Sequence, residues 1–69
     1  MGTRYVQHKK TAGFYRVLTT GRLEATLEEC VVYQNIHNND VWVRPTKEFE
    51  DGRFRDVPVE HVRARGWPV

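Results

Sequence analysis

Two short apolar runs separated by four polar residues limit most strongly what this chain can fold into. Residues 30–36 (Cys-Val-Val-Tyr-Gln-Asn-Ile) and 41–44 (Val-Trp-Val-Arg) flank His37-Asn38-Asn39-Asp40, inside the stretch 26–45. Val, Ile, Tyr and Trp fit a pleated, half-buried surface, and consecutive Asn and Asp tolerate the positive φ of a tight reversal. A β-hairpin is therefore expected. With Asn38-Asn39 at its centre, His37 would face Asp40, Ile36 would face Val41, Asn35 would face Trp42 and Tyr33 would face Arg44.

A chain of 69 residues is one domain near the lower size limit for a self-sufficient core. The single cysteine excludes an internal disulfide, and His8, His37 and His61 show no metal-ligand spacing, so neither a metal nor a cofactor is expected. Packing has to hold the fold, with self-association as a further source. A lone thiol suits a reducing compartment, no apolar run approaches the length of a membrane span, and no signal peptide follows Met1. The expected location is cytoplasmic, without membrane contact.

The formal net charge of +2 is distributed unevenly. Residues 1–22 carry Arg4, Lys9, Lys10, Arg16 and Arg22 with no acid, whereas residues 23–51 carry seven acids against Arg44 and Lys47. Residues 52–69 turn basic again through Arg53, Arg55, Arg63 and Arg65. Pairing of basic with acidic strands across a sheet is the simpler account; a basic face for an acidic partner is the other.

Around the hairpin, residues 4–8 read as a short strand anchored by Tyr5, and residues 9–13 as a turn. Residues 14–18 form a strand with Tyr15 and Val17 on one face and Phe14, Arg16 and Leu18 on the other. Thr19-Thr20-Gly21 breaks it and opens a connection in which a two-turn helix over 23–30 is conceivable. Pro45 ends the hairpin ladder and starts a single helical turn that returns Phe49 to the core. Asp51-Gly52 then turns into a strand over 53–57 with Phe54 facing inward. Beyond it, residues 58–65, closed by Gly66, suit a short helix burying Val59 and Val62, with an edge strand or an extended tail as alternatives. Trp67-Pro68-Val69 either packs on the domain or meets a second subunit. The expected architecture is mainly β: a small SH3-like antiparallel β-barrel over residues 1–57 with a one-turn helix before its last strand, and a C-terminal extension over 58–69.

In order along the chain stand Phe14-Tyr15-Arg16-Val17-Leu18, Thr26-Leu27-Glu28-Glu29-Cys30-Val31-Val32-Tyr33-Gln34, Val41-Trp42-Val43-Arg44-Pro45 and Phe49. This ordered set resembles the short bacterial and phage family catalogued as domain of unknown function 1653. The resemblance covers residues 5–54 and implies a compact SH3-like barrel with no established activity. Cys30 stands where the family usually has an aliphatic residue, which favours a packing role, and residues 58–69 extend past the pattern.

Little in the chain carries reaction chemistry. There is no serine, and Cys30 lies between Glu29 and Val31 in an expected strand rather than at a helix N-terminus or beside a cation, so it reads as a packed thiol. Glu28 and Glu29 point to opposite faces of a strand and cannot work as an acid and base pair. The glycines at turns are isolated and form no phosphate loop. An enzyme is not expected. Arg44, between Trp42 and Pro45, can brace Glu28 or Glu48, or contact an anionic group over aromatic faces.

Two functions remain. One is a non-catalytic module that binds a protein or peptide partner with Tyr15, Tyr33, Trp42, Arg44 and Phe49. The other is a nucleic-acid-binding barrel using Lys9, Lys10, Arg16, Arg53, Arg55, Arg63 and Arg65, which requires those cations to form one contiguous surface. A monomer or a weak homodimer, joined through the hairpin edge or Trp67, is compatible with either.

Overall fold

The computed structural model describes residues 2–69. Five strands, β1 (Tyr5–His8), β2 (Phe14–Arg22), β3 (Glu29–Asn35), β4 (Val41–Pro45) and β5 (Phe54–Val57), form one antiparallel sheet in the order β4-β3-β2-β1-β5. Two short helices complete it: α1 (Thr46–Phe49) before β5 and α2 (Val59–Ala64) after it. No helix among the described residues is long and apolar enough to cross a membrane.

The first three strand connections are built alike. The N–H of His8, Leu23 and Asn35 donates to the carbonyl of Gly13, Glu28 and Asp40, five residues on, at 2.9 Å in each case. In return Ala12, Leu27 and Asn39 donate back to the carbonyls of His8, Leu23 and Asn35. Each four-residue loop ends in a left-handed residue, with φ of +63° at Ala12, +62° at Leu27 and +65° at Asn39. In each, the side chain one residue earlier (Thr11, Thr26 or Asn38) accepts from the N–H that closes the loop. His8 Nδ1 and Asn35 Oδ1 add matching roles, each accepting from the two N–H groups at positions two and three further on. Short polar side chains thus satisfy backbone donors that the reversal would otherwise leave open.

This geometry corrects three expectations. The hairpin pairs Tyr33 with Trp42, Gln34 with Val41 and Val31 with Arg44. That register is two residues from the expected one, because a four-residue loop replaces a two-residue turn at Asn38-Asn39. A shift of two preserves every face, so the side-chain assignment survives. Residues 23–30 are not helical: Leu23 and Glu28 close a loop and β3 begins at Glu29. Nor does β2 stop at Leu18. A bulge between Val17 and Thr19 absorbs Leu18, and the strand continues through Gly21 to Arg22.

Both sheet faces bury apolar side chains. On one, Val6, Val31, Tyr33 and Phe49 pack with Tyr15, Val17 and Phe54. On the other, Phe14, Ile36 and Val62 pack with Tyr5, Val57, Trp67 and Val69, so α2 and the C-terminal segment cover the β1 and β5 side. Trp67 packs on the sheet and meets His37 edge-on at 5.2 Å. Cys30 is buried, with its Sγ 3.5 Å from the Glu28 carbonyl.

The barrel expected from the sequence is not closed. β4 and β5 are the two edges of the sheet, and α1 with the Asp51-Gly52 turn stands between them in the chain. Side chains bridge the gap instead: Phe54 of β5 lies 5.5 Å from the Tyr33 ring of β3, although two strands separate β3 from β5 in the sheet order. Phe49 stacks on Phe54 at 4.5 Å. Arg4 clasps the same side, its Nε donating to Asp56 Oδ1 (2.6 Å) and its Nη2 to Glu50 Oε1 (2.9 Å), with the guanidinium 5.5 Å from the Phe49 ring centroid. Glu50 first and Asp56 second raise the Arg4 pKa above the ordinary arginine value. For a raised cation the stabilisation is complete below the unfolded pKa and is lost only as pH climbs through the folded one, so Arg4 stays charged and engaged across the neutral range.

Leu27 is exposed and left-handed, a conformation that costs an L-residue with a branched side chain about 1–2 kcal/mol. Replacing it by glycine relieves that strain against a smaller entropic cost, so Leu27→Gly is expected to stabilise the chain by about 0.5–1 kcal/mol. Urea unfolding of the two proteins checks this; a destabilised variant contradicts the loop geometry.

Candidate functional site

Alternation along five strands assembles one concave site. Val6 and His8 on β1 share a face with Tyr15 and Val17 on β2, Tyr33 on β3, Trp42 and Arg44 on β4, and Phe54 on β5, because directly paired residues project to the same side. Curling brings the far ends of this row together. His8, Thr11, Tyr15, Tyr33, Trp42, Arg44 and Phe54 line an open groove of about 230 Å³.

The floor is a set of interlocked rings. Tyr33 meets Tyr15 at 5.3 Å and Phe54 at 5.5 Å edge-on, and Phe49 at 5.1 Å with tilted rings. His8 meets Phe54 edge-on at 5.0 Å. These are the offset and perpendicular arrangements that ring quadrupoles favour. Trp42, 52% exposed, forms part of the wall and is free to offer its indole to a ligand.

Arg44 is the cation of the groove. Its Nε donates to the Tyr33 hydroxyl (3.2 Å), its Nη1 lies 3.7 Å from Glu48 Oε1, and its guanidinium stands 6.0 Å from the Phe54 ring centroid. The Tyr33 hydrogen bond holds the Arg44 pKa above the usual arginine value. The brace is therefore Glu48, while Glu28 pairs with Lys47 at 3.4 Å. Because Tyr33 fixes one edge of the guanidinium, the remaining N–H groups are pre-oriented rather than free to rotate away.

Of the five residues expected to bind, Tyr15, Tyr33, Trp42 and Arg44 line the groove together. Phe49, 1% exposed, lies beneath it as core. His8, Thr11 and Phe54 were not among the expected residues. They come from the β1–β2 loop region and from β5, and only the pairing of β1 with both β2 and β5 brings them to the groove.

The seven cations proposed for nucleic acid divide between sites. Lys9, Lys10 and Arg53 meet at a hollow with His8, next to the groove, and Arg53 is already paired with Asp51 (2.9 Å) and Glu48 (3.9 Å). Arg16 and Arg55 are on the opposite sheet face, where Arg55 donates to the buried Gln7 and Arg16 Nε has no hydrogen-bond partner among the described residues. Arg63 donates to the Val69 carbonyl at 2.7 Å, and Arg65 stands 5.9 Å from the Phe14 ring. A second, larger hollow of about 530 Å³ is lined by Thr11, Gly13, Phe14, Tyr15, His37, Arg65 and Trp67; it too combines rings with a cation, Arg65, which stands over Phe14 where Arg44 is hydrogen bonded to Tyr33.

The chain belongs to the family described as protein of unknown function (DUF1653), whose pattern matches residues 4–64. Comparison with curated proteins and with solved structures finds no match.

Removing the Tyr33 hydroxyl leaves a partly buried Arg44 donor without its acceptor. Tyr33→Phe is expected to cost about 1 kcal/mol and to lower the melting temperature by roughly 4–8 °C, with the ring packing unchanged. Thermal unfolding measures it; an unaltered midpoint means that this bond does not hold Arg44 in place.

Proposed function

We propose that this chain is a small, non-catalytic binding module that holds an extended protein segment in the groove of Tyr15, Tyr33, Trp42, Arg44 and Phe54. The observation that carries this reading is the half-exposed Trp42 indole beside a ring-floored groove whose one cation is anchored by Tyr33. Aromatic surfaces bury large area at low conformational cost, and a fixed guanidinium supplies direction to a carbonyl or carboxylate of the ligand. An antiparallel meander with a one-turn helix before its last strand supports reading the fold as an open form of the SH3-like arrangement, in which an aromatic groove takes extended peptides. That analogy raises the prior and carries no residue role by itself.

Single-stranded nucleic acid is the second candidate occupant, favoured by Lys9 and Lys10 beside the groove. Charge placement argues against it. Arg44 and Arg53 already face Glu48 and Asp51, and Arg16, Arg55, Arg63 and Arg65 lie elsewhere, so no continuous phosphate track runs along the rings.

Selection of a random peptide-display library on the immobilised chain tests the proposal, with Trp42→Ala as the counter-target. Enriched peptides are expected to bind the parent chain and to lose roughly tenfold or more in affinity on Trp42→Ala, as removal of a central aromatic contact does. Failure to enrich any peptide contradicts it, as does binding of oligonucleotides that collapses with added salt and depends on Lys9 and Lys10.

A further inference from the structure

The two sheet edges are finished differently. Both edge strands are short and each has a proline, Pro58 after β5 and Pro45 at the end of β4, but β5 carries Arg55 and Asp56 held by Gln7 and Arg4, and charge is a usual protection of an edge. On β4, Val41, Trp42 and Val43 stand side by side and are each more than half exposed.

The direction of the free backbone groups on β4 follows from the loop. Asn35 donates to the Asp40 carbonyl, so that pair is hydrogen bonded. Alternation in an antiparallel ladder then makes Tyr33 with Trp42 and Val31 with Arg44 the next bonded pairs. The N–H and C=O groups of Val41 and Val43 point away from the sheet. Pro45 falls in the same outward row, where its missing N–H costs the β3 ladder nothing.

We propose that this edge pairs with a second copy of itself, as an antiparallel β4–β4 contact about a two-fold axis at Val43. In that register the two Val43 residues exchange both backbone bonds, and each Val41 N–H donates to the Pro45 carbonyl of the other copy. The reciprocal bond is missing, because the Pro45 nitrogen has no hydrogen to donate and leaves the Val41 carbonyl opposite it to solvent. On one face Val41, Val43 and Pro45 of the two copies form an unbroken apolar row, next to Val32 and the exposed Leu18, which α2 leaves uncovered. On the other face each Trp42 lies opposite Arg44 of the second copy, a pairing of indole with guanidinium. No like charges meet. Asp40, which has no ion pair among the described residues, comes to the start of the other copy's α1, where Lys47 is exposed.

Because the two-fold axis is normal to the sheet, the grooves of both copies open on the same side and meet at Trp42. Arg44 of each copy then borders the groove of the other. A single five-residue strand is a small contact beside the roughly 1,000 Å² of a stable interface, so the dimer is weak and concentration-dependent.

Sedimentation velocity from about 10 μM to about 1 mM tests this, a range that spans weak association. The parent chain is expected to pass from monomer to dimer. Val43→Pro removes only an outward N–H and Val43→Lys sets two cations face to face; both are expected to stay monomeric while keeping the parent's circular dichroism. A parent chain monomeric throughout overturns the proposal, as does either folded variant dimerising like the parent. Peptide binding in the groove does not require the dimer: Val43 is outside the groove lining, so a monomeric Val43→Pro that still binds selected peptides separates this inference from the groove reading.

Discussion

Everything in this small molecule turns on Tyr33. Its ring touches Tyr15, Phe49 and Phe54, drawn from β2, α1 and β5, and its hydroxyl accepts from Arg44 of β4. A five-stranded sheet has no reason to roll so far by twist alone, because each neighbouring pair adds only a modest rotation. Aromatic contacts between strands that are not neighbours supply the extra curvature. The residue that organises the core therefore also shapes the groove, with its ring as floor and its hydroxyl as the anchor of the cation.

That curvature stops short of closure, and the way it stops has consequences. Phe49 stacks on Phe54 on the way from β4 to β5, and the backbone groups on the outer side of β4 find no partner strand among the described residues. An exposed apolar edge strand is an open template for pairing with another chain. The two edges differ in their side chains: β5 carries Arg55 and Asp56, whereas Val41, Trp42 and Val43 stand exposed on β4.

Much of this arrangement was legible in the residues. Alternation along 14–18 put Tyr15 and Val17 on one face and Phe14 and Arg16 on the other, Pro45 and Asp51-Gly52 marked the one-turn helix and the last turn, and Phe49 and Phe54 were placed inward. The expected hairpin put Tyr33, Trp42 and Arg44 on one face, and they stay on it under a two-residue change of register; Tyr15 was added by analogy with an aromatic peptide groove. What failed were the loops. Leucine is disfavoured in the left-handed region, so no propensity marks Leu27 as the end of a turn, and Leu-Glu-Ala composition there imitates a helix. The usable signal was the recurrence of Thr11, Thr26 and Asn38, each immediately before the left-handed residue. Gly21 looked like a break because a bulge at Leu18 was invisible, and His8, Thr11 and Phe54 were not read as groove residues because only the pairing of β1 with both β2 and β5 brings them there.

The rolled sheet around Tyr33 is most directly tested by through-space proton contacts in solution. Nuclear Overhauser effects between the Tyr33 and Phe54 rings, and between Phe54 and Phe49, are expected together with Hα contacts between Val32 and Val43, the pair whose backbones approach most closely in this register. A spectrum with the strand contacts but no signal between Tyr33 and Phe54 would describe a flat sheet, and would contradict both the core and the groove built on it.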